Sequence, residues 1–141
     1  MSQESVEYPI FALIGALAVA LAVLMGAFGA HGLELAFDKN PRMEKAWSIA
    51  VDYQMFHGLG LFVLGVVRLD QVRSKLWIMA GSLTTLGIML FSMSIYAWVL
   101  GGPDLLIRFT PIGGFSFVLA WVLLGLHQAI SFRDRKRKLI S

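Results

Sequence analysis

Long apolar runs, separated by short polar stretches, fill most of this chain. The runs cover residues 8–30, 47–67, 76–100 and 105–130. Each run reaches the length of about 20 apolar residues that a helix needs to cross a hydrocarbon core about 30 Å thick. Charged residues do not recur inside the runs at the helical period, as they would in a soluble amphipathic helix. Since lipid cannot satisfy backbone hydrogen bonds, runs this long should be helices. The pattern predicts an all-α integral membrane protein.

Composition supports this prediction and limits the chemistry. Of the 141 residues, 57% are hydrophobic and 15% are charged, and the charged residues lie almost entirely between or outside the runs. We therefore expect one transmembrane domain over residues 1–141. It should be an antiparallel up-down-up-down four-helix bundle with both termini on one side of the membrane. The absence of cysteine excludes disulfides and thiolate metal sites within the chain.

The first run is too long for the apolar core of a signal peptide. That core has roughly 7 to 15 residues and follows a basic segment. Here the preceding residues carry Glu4 and Glu7 and no Lys or Arg. We expect an uncleaved first span.

The basic residues predict the orientation. Eight lie on the side of the termini and the second loop, namely Arg68, Arg73, Lys75, Arg133, Arg135, Lys136, Arg137 and Lys138. Four lie on the other side, namely Lys39, Arg42, Lys45 and Arg108. The positive-inside bias then places both termini in the cytoplasm.

Five basic residues concentrate in the cytoplasmic tail, residues 131–141. They are Arg133, Arg135, Lys136, Arg137 and Lys138, with Asp134 as the only acidic neighbour. We interpret this charge as a topology signal and a candidate contact for anionic lipids, worth about 1 kcal/mol per residue. It does not indicate nucleic-acid binding.

Small residues mark the faces on which the helices should pack, because close approach drives helix association in lipid. Each run has such a face. The small or polar positions are Ala18, Ala22, Gly26 and Ala30 in the first run; Gly58 and Gly65 in the second; Gly81, Ser82, Thr84, Thr85 and Gly87 in the third; and Gly113, Ser116 and Ala120 in the fourth. Two interpretations stay open for the start of the fourth run. Either the helix begins near Pro111, after a short interfacial or re-entrant segment at 105–109, or it begins earlier.

Polar residues at membrane depth are candidates for function, since they are costly there. Tyr53, Gln54 and His57 lie within about one turn of one another, and His57 should lie roughly 15 Å deep, near the midplane. We predict that they form one polar face directed into the bundle. That face could relay a proton, bind a ligand, or simply hold a neighbouring helix.

A second group of polar residues should lie at the outer end of the bundle. Asp52 falls about one turn inside the second run, where a carboxylate needs a partner. Arg108 and His31 are the nearest cationic candidates, and Glu34 lies beside them in the sequence. We expect an outer polar cluster of His31, Glu34, Asp52 and Arg108. The alternative is an ordinary rim of interfacial ion pairs.

No feature of the sequence indicates an enzyme, a metal or a cofactor. His31, His57 and His127 should lie at separate depths, about 15 Å apart, which is too far for one zinc or haem site in one subunit. The chain also lacks a P-loop, a nucleophile elbow and an HExxH motif. We predict no catalytic, cofactor-binding or metal-binding residues.

The sequence contains four blocks in this order: 26–33, Tyr53-Gln54 with His57, 90–96 and 110–114. Together they resemble the YgdD/YwdK-like family of uncharacterised small bacterial inner-membrane proteins (domain of unknown function 423). The resemblance implies a four-span membrane protein with a eukaryotic transmembrane relative, and it implies no established activity. One departure is Met93, where the family pattern implies a small residue.

The sequence thus favours a non-enzymatic accessory, assembly or structural component of the inner membrane. The alternative is a small oligomeric transporter or pore for a proton-linked or lipid-like ligand, using the polar face around His57. The expected partners are the lipid bilayer, including anionic lipids, and either further copies of the chain or other membrane proteins.

Overall fold

The described part of the protein is helical almost throughout. The structure is a computed structural model that describes residues 9–66 and 75–140. Its elements are α1 (Pro9–Gly32), α2 (Glu34–Lys39), α3 (Pro41–Val66), α4 (Lys75–Ile88), a π-helical segment (Met89–Met93), α5 (Ser94–Val99), a 3₁₀ turn (Leu106–Phe109) and α6 (Thr110–Ile140). The predicted all-α class is confirmed.

Within the described ranges, four helical stretches are long and apolar enough to cross a membrane. These are the first span (Ile10–Gly32), the second (Pro41–Val66), the third (Lys75–Val99) and the fourth (Leu106–Arg137). They correspond to the four runs in the sequence. Tyr8, Val67 and the loop that carries Arg68 and Arg73 lie outside the described residues.

The helix of the second span, α3, begins at Pro41, six residues before the predicted start of that span at residue 47. The reason is the cap at its N-terminus. The Asn40 side chain accepts a hydrogen bond from the backbone N–H of Arg42 at 3.2 Å. Pro41 then occupies the first helical position, where a missing N–H costs nothing. The polar turn before the apolar run is therefore helical as well.

The first and second spans pack with their backbones in direct contact. A Cβ atom added at Gly15 would meet the backbone nitrogen of Phe62, and one added at Gly65 would meet the backbone of Ala12. Ala18, 8% exposed, is close to Gly58. The predicted small-residue face is thus confirmed on α1, at Ala18 and Ala22, and on α3.

The third and fourth spans form a second close pair. Gly87 lies against the Phe117 ring, and Gly113 lies against the backbone of Phe91. Ala120, 1% exposed, continues the same stripe on α6. Of the small residues predicted for the third span, Ser82 faces outward.

A π-helical segment interrupts the third span at Met89–Met93. Such a segment inserts one extra residue into the helical turn and often marks a functional position. Here it turns the buried hydroxyl of Ser92 toward α3, where it donates to the Ala50 carbonyl at 2.8 Å. The Met93 side chain is partly buried against the apolar clusters on both sides.

The fourth span resolves the open question about its start. The α-helix begins at Thr110, so Pro111 lies in its first turn, and Leu106–Phe109 form a 3₁₀ turn directly before it. The helix then continues without interruption to Ile140. The basic tail is therefore an extension of the fourth span, at least through residue 140.

Candidate functional site

The candidate intramembrane residues lie in the middle of α3 but face two directions. Gln54 is fully buried and donates from Nε2 to the Ala18 carbonyl of the first span at 2.9 Å. Its Oε1 atom is buried without a hydrogen-bond partner among the described residues. Gln54 therefore links the first and second spans.

His57 points inward, as predicted, and packs against the fourth span. Its ring stacks on Phe117 with centroids 3.5 Å apart, and the residue is 9% exposed. Nδ1 lies 2.7 Å from the Tyr53 carbonyl, which can only accept, so Nδ1 carries the proton. The hydrogen bond is to its own helix and not, as expected, to another. In the neutral ring, Nε2 remains an acceptor with no partner in the described part of the chain.

Tyr53 lies one turn from His57, on the same side of α3. Its ring stacks on Phe91 of the π segment at 4.7 Å, with the planes 14° apart. The residue is 42% exposed, and its hydroxyl has no hydrogen-bond partner within residues 9–66 and 75–140. Because adjacent helical residues are turned by about 100°, Tyr53 and Gln54 diverge. The single polar face predicted for Tyr53, Gln54 and His57 is thus divided into two.

Tyr53 and His57 line a groove on the side of the bundle. The groove has a volume of about 630 Å³ and lies between the second, third and fourth spans. Its lining is mostly aromatic, with Tyr53, Phe56, His57, Phe91, Gly114, Phe117, Val118 and Trp121. Of these, Phe117 follows Gly113 by one turn on the predicted small-residue face, so the sequence indicates its inward position but not its contact with His57. The roles of Phe91 and Trp121 depend on the π segment and on helix rotation, which the sequence does not show.

Other hydroxyls at this depth hold helices together. Ser94 donates to the Leu90 carbonyl and lies 2.9 Å from the hydroxyl of Thr110, at the start of α6. Hydrogen bonds of this kind contribute on average about 0.6 kcal/mol in membranes. Their effect is to fix the relative rotation of the helices more than to add stability.

The predicted outer polar cluster does not form as expected. His31, Glu34, Asp52 and Arg108 are all exposed, and no hydrogen bond or ion pair among the described residues joins any two of them. Asp52 lies on an outward flank of α3, so it does not need the buried partner that the sequence suggested. The structure does not bring Asp52 to Arg108 or His31, and their pairing stays a prediction.

Different residues close this end of the bundle. The Trp98 indole donates to Asp104 Oδ1 at 2.8 Å, and the Arg42 guanidinium lies 6.0 Å from the Trp98 ring. Trp47 packs on Tyr96 beneath them at 4.6 Å. Only Glu34 of the predicted cluster lines the nearby cavity of about 270 Å³, together with Asp38 and Glu44. Aromatic contacts therefore replace the predicted ion pairs.

The basic residues of the tail lie along the last turns of α6. Arg133, Arg135, Lys136 and Arg137 are exposed, as a lipid contact would require. The side chain of Lys138 lies outside the described part of the structure. Their contact with anionic lipids stays a prediction.

These features define the class of the protein: an α-helical membrane protein with four candidate spans. The family model described as "Protein of unknown function (DUF423)" matches residues 25–114. The chain belongs to this family, which confirms the resemblance found in the sequence. No solved structure matches the chain.

Relatives in bacteria are described as UPF0382 membrane proteins. The UPF0382 membrane protein of Staphylococcus haemolyticus is 41% identical over 115 residues, covering 82% of this chain and 91% of that protein. The UPF0382 membrane protein YwdK of Bacillus subtilis is 39% identical over 118 residues, covering 82% of this chain and 92% of YwdK. The chain is thus similar to these bacterial membrane proteins over most of their length.

Proposed function

We propose that this chain is a non-enzymatic accessory, assembly or structural component of the bacterial inner membrane. The main support is that two buried polar side chains donate hydrogen bonds to backbone carbonyls of neighbouring helices. Gln54 holds Ala18 of the first span, and Ser92 holds Ala50 of the second. Side chains committed in this way stabilise a bundle and are not available for catalysis.

The proposed topology is an antiparallel up-down-up-down bundle. Three contacts support it for the first two spans. Gly65 lies by Ala12, Gly58 lies by Ala18, and the Trp47 indole donates to the Met25 carbonyl at 2.9 Å. Residue numbers thus rise along one helix as they fall along the other. The distribution of basic residues supports a cytoplasmic position for both termini.

Reporter fusions test this topology. Alkaline phosphatase, which is active only outside the cytoplasm, should be inactive when fused after Ser141 and active when fused after Gly102, in the turn between the third and fourth spans. Green fluorescent protein at the same two positions should show the opposite pattern. Strong phosphatase activity from the C-terminal fusion would contradict the proposed orientation.

The proposed partner is another membrane protein or a second copy of the chain, contacted through the exposed faces of the first and fourth spans. In the most apolar 18-residue stretch of each span, 22% is buried in the first span and 44% in the third. Leu17 and Leu24, 61% and 63% exposed, lie on this open surface. The exposed arginines of α6 would add contacts to anionic lipids.

Site-directed photocrosslinking in intact cells tests the accessory role. Benzoylphenylalanine at Leu17 and at Leu24 should crosslink to one and the same protein, because both positions lie two turns apart on one helix face. Leu61, which is 0% exposed, is the matched control and should give only crosslinks within the chain. Lipid adducts alone at both exposed positions would contradict a protein partner on this surface.

The groove favours one alternative, a small oligomeric transporter or pore. The supporting observation is that His57 and Tyr53 both line the groove, with their ring centroids 5.7 Å apart. Proteoliposomes containing the purified chain should then show a proton flux that His57→Leu abolishes, and the chain should run as a dimer or larger assembly. A flux equal to that of empty liposomes would exclude proton-linked transport.

A further inference from the structure

The aromatic groove has the properties of a ligand site. It is concave and mostly apolar, and its volume of about 630 Å³ lies in the range of small-molecule sites. Two polar atoms in its lining have no hydrogen-bond partner among the described residues. One is Nε2 of His57, a side chain more than nine-tenths buried, and the other is the hydroxyl of Tyr53.

These two atoms are costly at their depth unless a ligand or water engages them. His57 lies roughly 14 Å along α3 from its end at Val66, far from the nearest interface. An open acceptor and an open donor in hydrocarbon lose the hydrogen bonds that water would supply. We propose that the groove binds the ring of a membrane-soluble quinone or its quinol.

The chemistry of the lining favours this class of ligand. A flat conjugated ring can stack on aromatic faces, and the exposed rings of Tyr53, Phe56 and Trp121 line the groove. A quinone carbonyl accepts a hydrogen bond from the Tyr53 hydroxyl, and a quinol hydroxyl donates to Nε2 of His57. Both forms of the ring therefore find a partner, and the apolar tail leaves sideways into the bilayer.

Other lipids fit less well. No Lys or Arg lines the groove, and a charged headgroup would not lie at this depth. An acyl chain would fill the volume without engaging the two polar atoms. An aliphatic ring with one hydroxyl, as in a sterol, would engage one of them and would lack a conjugated face for stacking.

The binding experiment uses the full chain in phosphatidylcholine nanodiscs and radiolabelled decylubiquinone as the probe. Retention should exceed that of empty nanodiscs, and it should saturate at one probe per chain. Unlabelled decylubiquinone should displace the probe, whereas decylbenzene, which has the same tail and no ring oxygen, should not. Equal displacement by decylbenzene or by cholesterol would overturn the proposal, and so would retention equal to that of empty nanodiscs.

Two variants locate the site. A Cβ at Gly114 would lie 3.7 Å from the Phe91 ring, in ordinary contact, so Gly114→Leu should fill the groove and abolish saturable binding. Tyr53→Phe keeps the stacked ring and removes one hydrogen bond, which should weaken binding about three- to tenfold. Gly125→Ala, at a position with nothing within 4 Å, is the control and should bind as the wild type does.

These variants also keep the result separate from folding and from the proposed accessory role. Each variant is compared with the wild type by its thermal unfolding midpoint in the same nanodiscs. Folded Gly114→Leu protein that still binds the probe with wild-type affinity would overturn the proposal, as would a folded Tyr53→Phe variant with unchanged affinity. The crosslinking at Leu17 and Leu24 does not involve the groove and is scored independently.

Discussion

Replacing Gly65 with alanine should destabilise the protein by about 2 to 3 kcal/mol, although the same change usually stabilises a helix. Alanine is favoured over glycine in a helix interior by about 1 kcal/mol. At Gly65, however, the added Cβ would meet the backbone nitrogen and Cα of Ala12. Backbone atoms cannot move aside as a side-chain end can, so the first two spans must separate, and overpacking of this kind costs about 1 to 3 kcal/mol or more. Unfolding by SDS in mild detergent micelles measures the change.

Two further alanine variants complete the test. Gly15→Ala should destabilise to a similar degree, because its Cβ would meet the backbone of Phe62 in the same interface. Gly125→Ala is the matched control, since its Cβ meets nothing within 4 Å, and it should leave stability unchanged or raise it by up to about 1 kcal/mol. A change in stability of the same sign for Gly65→Ala and Gly125→Ala would show that the first and second spans do not pack through Gly65.

Trp47→Ala should lower the free energy of unfolding by about 3 kcal/mol or more. It removes the centre of a cluster that we call the outer aromatic cluster, which consists of Phe28, Phe37, Trp47, Tyr96 and Trp98. The Trp47 side chain is 3% exposed and packs against Tyr96, Phe28 and Phe37. Large buried aromatic side chains typically cost 3 to 5 kcal/mol when they are truncated to alanine, since a cavity remains. Thermal unfolding of the purified protein measures the loss.

Matched tryptophan variants separate packing from hydrogen bonding. Trp121→Ala removes an indole that is 55% exposed, so its effect should be below about 1 kcal/mol. Trp47→Phe keeps most of the ring volume and loses the hydrogen bond to the Met25 carbonyl, so it should fall between the two alanine variants. An effect of Trp47→Ala no larger than that of Trp121→Ala would contradict a role for Trp47 as the core of the outer end.

The four spans were predictable because membrane thickness imposes a length on each helix. Apolar runs of this length have few alternatives to a spanning helix. The packing faces followed from small residues, and Ala22, Gly58 and Ala120 are buried as expected. The predicted small-residue stripe on α1 is not buried at the C-terminal end of the helix. There Ala30 is exposed, and Gly29 contacts Trp47 instead. A small-residue pattern alone does not say where a large partner residue will lie.

The candidate site was predictable in part. The sequence indicates that His57 is buried, since an imidazole is costly in lipid. It does not indicate the partner ring, because Phe117 lies 60 residues further along the chain and helix rotation decides the contact. The predicted outer polar cluster is not assembled in the structure, for a related reason. The sequence places Asp52 and Arg108 near the same membrane surface, but the direction in which each side chain points around the bundle depends on how the helices pack.

The π segment makes the length of the third span as important as its composition. Its extra residue rotates everything that follows by about 100° relative to a regular helix. Because of this rotation, Tyr96 and Trp98 are buried with Trp47 in the outer aromatic cluster, while Gly87, on the other side of the segment, lies against Phe117. Regular α-helical geometry over Met89–Met93 with all its residues kept would turn Tyr96 away from Trp47, whereas deleting one residue there would remove the extra residue and leave Tyr96 on the same face. In this span, therefore, a homologue can lose one residue at the π segment and keep its packing, whereas the same loss elsewhere would rotate one end of the helix against the other.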